Sequence, residues 1–102
     1  MKVDIEFIAD TGAIYTVIPK SIADKLELEE VDRRSFKIVG DEIVEYPISE
    51  AYMIIGCRGA TSIVAIGPDK TPPLLGVVAL ELLGLQVVPV TGELKPLELM
   101  IL

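Results

Sequence analysis

Val3, Ile5 and Phe7 alternate with Asp4 and Glu6, the period-two signature of a half-buried strand. The pattern predicts a strand over 3–7 that runs on through Ile8-Ala9 into a turn at Asp10-Thr11-Gly12-Ala13. Tyr15 to Ile18 reads as a second strand. Pro19 stands where a helix can start, and Ile22, Ala23 and Leu26 give Ser21 to Leu26 one apolar helical face. Phe36 to Val39 and Ile43 to Tyr46 are strands joined through Gly40-Asp41-Glu42 as a hairpin. Ala51 to Ile55 and Ser62 to Ile66 flank a turn around Gly56-Cys57-Arg58-Gly59, and Thr71-Pro72-Pro73 is a rigid, extended approach. Leu74-Leu75-Gly76 is a short apolar strand ending in glycine. Val77 to Leu83 predicts a two-turn helix stopped by Gly84. A strand at Leu85 to Pro89, a turn at Gly92 and a last apolar strand at Leu97 to Leu102 complete the chain. Residues 1–102 thus read as one small, mostly antiparallel β-domain with one or two short helices, without repeats or linkers.

Composition narrows the function classes. Of the 102 residues 51% are apolar but only 5% aromatic, and Trp is absent, so Ile, Val and Leu must build the core. A domain this small with so much apolar surface is expected to associate with another copy. Nine basic against 16 acidic residues give a net charge of −7, and the Lys and Arg are scattered. Phosphate backbones need a basic face, so nucleic acid is excluded as an expected partner. No apolar run has the length of a membrane span. Cys57 is the only cysteine, which rules out an internal disulfide and makes a reducing, cytoplasmic setting the expectation. Histidine is absent, and with it Ser–His and Cys–His nucleophiles and His-based metal sites. Asp4, Glu6, Glu27, Glu29, Glu30 and Asp32 have no metal-loop spacing and read as a solvated acidic face. Neither metal nor other cofactor is expected. Any catalysis falls to carboxylates.

Asp10 is the carboxylate in the most constrained setting. It sits between an apolar strand end and a second strand, with Gly12 allowing another backbone to come close and Ala13 keeping the space open. Asp-Thr-Gly also suits a plain turn. One Asp alone cannot both activate water and protonate a substrate. Two carboxylates about 3 Å apart can, because they share one proton.

Asp10-Thr11-Gly12-Ala13, followed by Thr16-Val17-Ile18-Pro19, resembles the active-site loop and strand of the retropepsin-like aspartic proteases. These are the single-lobe relatives of pepsin that include the retroviral enzymes. Leu74-Leu75-Gly76 is similar to their second signature, in which an apolar strand passes beside the catalytic loop and its glycine permits the crossing. The hairpin at Gly40-Asp41-Glu42 stands where the family keeps its flap. The resemblance runs from about Ile5 to Pro89. It implies an all-β, pepsin-like lobe forming a closed small barrel, and an aspartic endopeptidase working as a symmetric homodimer on an extended peptide or unfolded protein. Asp10, Thr11 and Gly12 would form the catalytic loop, with the Thr11 hydroxyl bracing the partner's loop. Ala13, Ile14, Ile38, Gly40, Asp41, Ile43 and Leu75 would line the substrate cleft, and Leu97 to Leu102 would lie at the dimer interface.

Three departures from the family pattern carry expectations of their own. Ile14 and Val77 replace an acidic residue and an arginine that pair in retroviral enzymes, an apolar contact in place of an ion pair. Asp10 also stands closer to the chain start than in the family, where a further strand or hairpin precedes the loop; an unpaired sheet edge is expected there. Asp41 and Glu42 make the hairpin tip acidic rather than glycine-rich. The alternative to an enzyme is a dimerisation or peptide-binding domain on the same scaffold, without catalysis.

Overall fold

Alternation supplies a strand's two faces, but its backbone still needs a partner. In the computed structural model, which describes residues 2–38 and 40–96, the segment 2–7 keeps its alternating exposure yet forms no ladder. Only its continuation, β1 (Ile8–Ala9), is paired. The other elements are β2 (Thr16–Pro19), α1 (Lys20–Lys25), β3 (Asp32–Lys37), β4 (Ile43–Ile55), β5 (Arg58–Gly67), β6 (Leu74–Leu75), α2 (Val77–Leu82), β7 (Leu85–Val87) and β8 (Leu94–Pro96). The domain is therefore mostly β-sheet with two short helices. The strand expected over 97–102 lies outside the described residues.

Six strands form one sheet in the order β1-β6-β2-β5-β4-β3, and β7 and β8 form a separate antiparallel pair. Among the described residues the sheet is open, with β1 and β3 at its edges, and not the closed barrel that the family resemblance implies. The cause lies in the unpaired 2–7 segment, which leaves β1 too short to carry the pairing onward. Phe7 is held instead by packing, against both the cluster of Leu75, Ala79, Leu80, Leu83 and Leu85 and the cluster of Ile18, Ala23 and Val64. Met53 also packs against both.

β4 is one long strand where the sequence predicts two. Its first part, Ile43 to Ile48, pairs with β3, and Ile48 to Ile55 pairs with β5. Pro47 lacks an N–H, and it falls just before the β5 ladder begins, where only one neighbour is present. Ile48 alone belongs to both ladders and is 1% exposed.

Both helices stop through local geometry, which the sequence signals only for the second. Glu27 takes a left-handed φ of 55° after α1, while Leu28 donates back to the Ala23 carbonyl at 3.0 Å. Gly84 takes φ 68° after α2, a conformation glycine adopts without a Cβ penalty. Arg58 Nη1 then donates to the Leu83 and Gly84 carbonyls at 3.1 and 3.0 Å, satisfying acceptors that the end of a helix leaves open.

Candidate active site

The Asp10 turn closes through its own backbone, Ala13 N–H donating to the Asp10 carbonyl at 3.1 Å. Asp10 Oδ1 accepts the Gly12 N–H at 2.9 Å, the two-residue reach by which aspartate stabilises a turn. That bond alone suits a turn without chemistry. Asp10 is set apart by what holds the turn from behind.

β6 lies between the two strands that the turn connects, parallel to β1 and antiparallel to β2. Asp10 N–H donates to the Leu75 carbonyl at 3.0 Å. Past Gly76, Val77 N–H donates to the Ala13 carbonyl at 2.8 Å and Val78 N–H to the Ile14 carbonyl at 3.2 Å. The loop from Asp10 to Ile14 is thus splinted on both sides by residues 75–78. Gly76 is what makes the crossing possible. A Cβ there would stand 2.5 Å from the Tyr15 carbonyl carbon and oxygen and 2.7 Å from the Ile14 oxygen. The reason is close approach rather than unusual backbone, since Gly76 has φ −86°. The Gly76 N–H is satisfied by Thr16 Oγ1 at 3.0 Å.

Asp10 is half-buried, and Thr11 and Gly12 are exposed. Among the described residues Asp10 Oδ2 and the Thr11 hydroxyl have no hydrogen-bond partner, so both remain available to an incoming group. Ile14 is 65% exposed beside the splint and Ile43 is 70% exposed on the hairpin. Ile38 is exposed at the hairpin's other side. Leu75 differs: its side chain is in the core, and it meets the turn through its carbonyl. That side chain also reaches the wall of the apolar cavity described below. Val77, where the family has an arginine, is likewise tied to the loop by its N–H.

The hairpin of β3 and β4 turns over Ile38 to Glu42. Gly40 and Asp41 have φ 89° and 62°, and Ile38 N–H donates to the Glu42 carbonyl at 2.9 Å. Lys37 lies 3.6 Å from the Asp41 carboxylate. The structure brings no tip residue into hydrogen-bond contact with Asp10 among the described residues. The hairpin base is joined to the loop instead through Tyr15, whose ring meets Phe36 edge-on at 5.3 Å between centroids. Phe36 lies 5.7 Å from the Tyr46 ring. Arg34 sits over the Tyr15 ring and donates from Nη1 to its hydroxyl. Sequence reasoning missed Tyr15, Arg34 and Thr16. Their contacts join residues far apart in the sequence, so no local spacing signals them before the chain is folded.

An apolar cavity of about 670 Å³ lies elsewhere, between the 2–7 segment and β4, with Val3, Ile5, Phe7, Met53 and Ile55 in its wall. None of residues 10–14 lines it. Among the described residues no three His, Cys, Asp or Glu side chains are grouped to hold a metal, and no helix is long and apolar enough to cross a membrane. No protein-family model matches the chain, and neither a curated protein nor a solved structure matches it.

Proposed function

We propose that this chain is one lobe of a retropepsin-like aspartic endopeptidase, and that two copies pair so that their Asp10 carboxylates share a proton. The observation that carries the reading is the splinted turn: an Asp-Thr-Gly loop whose two strands are parted by an apolar-apolar-Gly strand, with Gly76 pressed on the Tyr15 carbonyl. A turn residue without chemistry needs no such support.

In the proposed reaction one Asp10 carboxylate takes a proton from water as the oxygen attacks the scissile carbonyl carbon. The partner's Asp10, protonated, donates to the carbonyl oxygen. Collapse of the tetrahedral species breaks the C–N bond: one hydroxyl returns its proton to the partner's Asp10 carboxylate as the C=O bond re-forms, and the leaving nitrogen receives the proton that the first carboxylate took. The substrate would lie extended along the cleft, bonded as an added strand beneath the Gly40–Asp41 tips, with Ile14, Ile38 and Ile43 offering apolar contact. A reducing compartment such as the cytoplasm would keep the exposed Cys57 a free thiol.

A second reading, peptide binding or dimerisation without catalysis, is favoured by the apolar cavity away from residues 10–14. The two readings separate in one experiment: cleavage of an unfolded protein between about pH 3 and 7, comparing the unaltered chain with Asp10→Asn and adding pepstatin. The enzyme reading expects cleavage that pepstatin blocks and Asp10→Asn abolishes. Equal inertness of two dimeric proteins supports the binding scaffold.

A further inference from the structure

A buried hydroxyl in a β-sheet needs a partner, and its choice of partner reveals what it holds. Thr16 is 1% exposed at the start of β2. Its Oγ1 accepts the N–H of Gly76, a residue far away in sequence. Gly76 lies at the centre of the splint: Leu75 before it accepts from Asp10, and Val77 and Val78 after it donate to Ala13 and Ile14. At Gly76 itself the loop backbone is already at the limit of approach. Among the described residues, the Thr16 hydroxyl therefore makes the one side-chain bond to the splint at its point of closest approach to the loop.

We infer that Thr16 is a positioning residue for Asp10, acting through Gly76. The role rests on the reading of Asp10 as half of a dyad. A dyad tolerates little error, since displacement by about 1 Å can cost on the order of 100-fold in rate. Val in place of Thr keeps the shape but leaves the Gly76 N–H without an acceptor, and Ser keeps the acceptor while giving up the methyl group.

The test compares Thr16→Val, Thr16→Ser and Ile18→Val, the last a control on the same strand whose side chain lies in the core. With an unfolded protein substrate, Thr16→Val is expected to lower kcat by about 10- to 100-fold and to change KM less than about twofold. Thr16→Ser is expected to restore kcat to within about threefold, and Ile18→Val to leave it unchanged. A second readout does not need activity: the amide resonances of Asp10 and Gly12 should shift in Thr16→Val and return in Thr16→Ser. Equal kcat in Thr16→Val and the unaltered protein, or no rescue by Ser, overturns the proposal. If the unaltered protein cleaves nothing, the dyad reading fails on its own, and unmoved Asp10 and Gly12 resonances in Thr16→Val then overturn the positioning role separately. Should Thr16→Val not fold, exchange of the Gly76 amide in the unaltered protein decides. Protection at least 100-fold above that of the exposed Gly56 amide supports the bond, and equal exchange overturns it.

Discussion

At Gly76 one hydrogen atom takes the place of a side chain, and the crossing of β6 behind the Asp10 turn depends on it. Gly76→Ala would press a methyl group on backbone atoms of Tyr15 and Ile14, which cannot rotate away. A loss of about 1–3 kcal/mol is expected, read as a lower urea midpoint with unchanged slope. Gly12 is less demanding, because its Cβ would meet only Asp10 Oδ1 at 3.2 Å. Arg58 makes a different kind of contribution. Arg58→Met removes two hydrogen bonds from the end of α2 and should cost about 1–3 kcal/mol in the same unfolding experiment. Exposed pairs such as Lys20–Asp24, at 2.9 Å, contribute little by comparison. The glycine's place was anticipated through the family resemblance, in which an apolar-apolar-Gly strand passes beside the catalytic loop; the run by itself carries no such demand. Thr16 was not: in Thr-Val-Ile-Pro it reads as a β-former, and nothing local shows that its hydroxyl faces Gly76.

Among the elements, β3 and β4 depart most from the sequence pattern. Asp32 read as part of a solvated acidic face, yet with Arg33 and Arg34 it forms the first half of β3. An edge strand has one free side and almost no buried face here, so it leaves no hydrophobic alternation to read. β8 was missed for the same reason, since all of Leu94 to Pro96 is exposed. β4 was read as two strands because Pro47 interrupts its pattern; the single strand persists since Pro47 needs no bond to β5. Ile48 is the residue at which the two ladders overlap. Ile48→Ala should cost about 2–5 kcal/mol of global stability, measurable by chemical unfolding. The hairpin depends instead on Tyr15. Tyr15→Ala removes the edge-on contact with Phe36 and the bond from Arg34, so faster amide exchange is expected across Phe36 and Val44 than in β5. Equal exchange in both strands would contradict a tie between loop and hairpin.

For the whole molecule, acid should weaken the fold through identifiable carboxylates. The Arg33 N–H and the Arg34 guanidinium hold Asp32 below the ordinary carboxylate range, and the Ser21 N–H, its hydroxyl and Lys20 do the same for Asp69. A depressed folded value means that the contribution is present above the unfolded value, near 3.8, and is lost as pH falls through the folded value. Asp69→Asn should therefore lower the urea midpoint at neutral pH and have little effect well below about pH 3. An undiminished effect in acid would contradict the assignment. The mostly β character, both helices and the placement of β6 beside the Asp10 turn were anticipated by pattern and resemblance. Barrel closure was not met, because 2–7 has the faces of a strand without a partner for its backbone. Ile8, Ile14, Ile43, Tyr52 and Ile54 are each more than half exposed.

The pairing of two Asp10 carboxylates is tested most directly by mixing. Unaltered chain and Asp10→Asn chain are unfolded together, refolded at fixed total concentration in varied proportion, and assayed on one substrate. If activity requires an Asp10 from each copy, it falls as the square of the unaltered fraction, to about one quarter at equal parts. A linear fall, to about one half, would mean that each chain acts alone and would contradict the shared dyad.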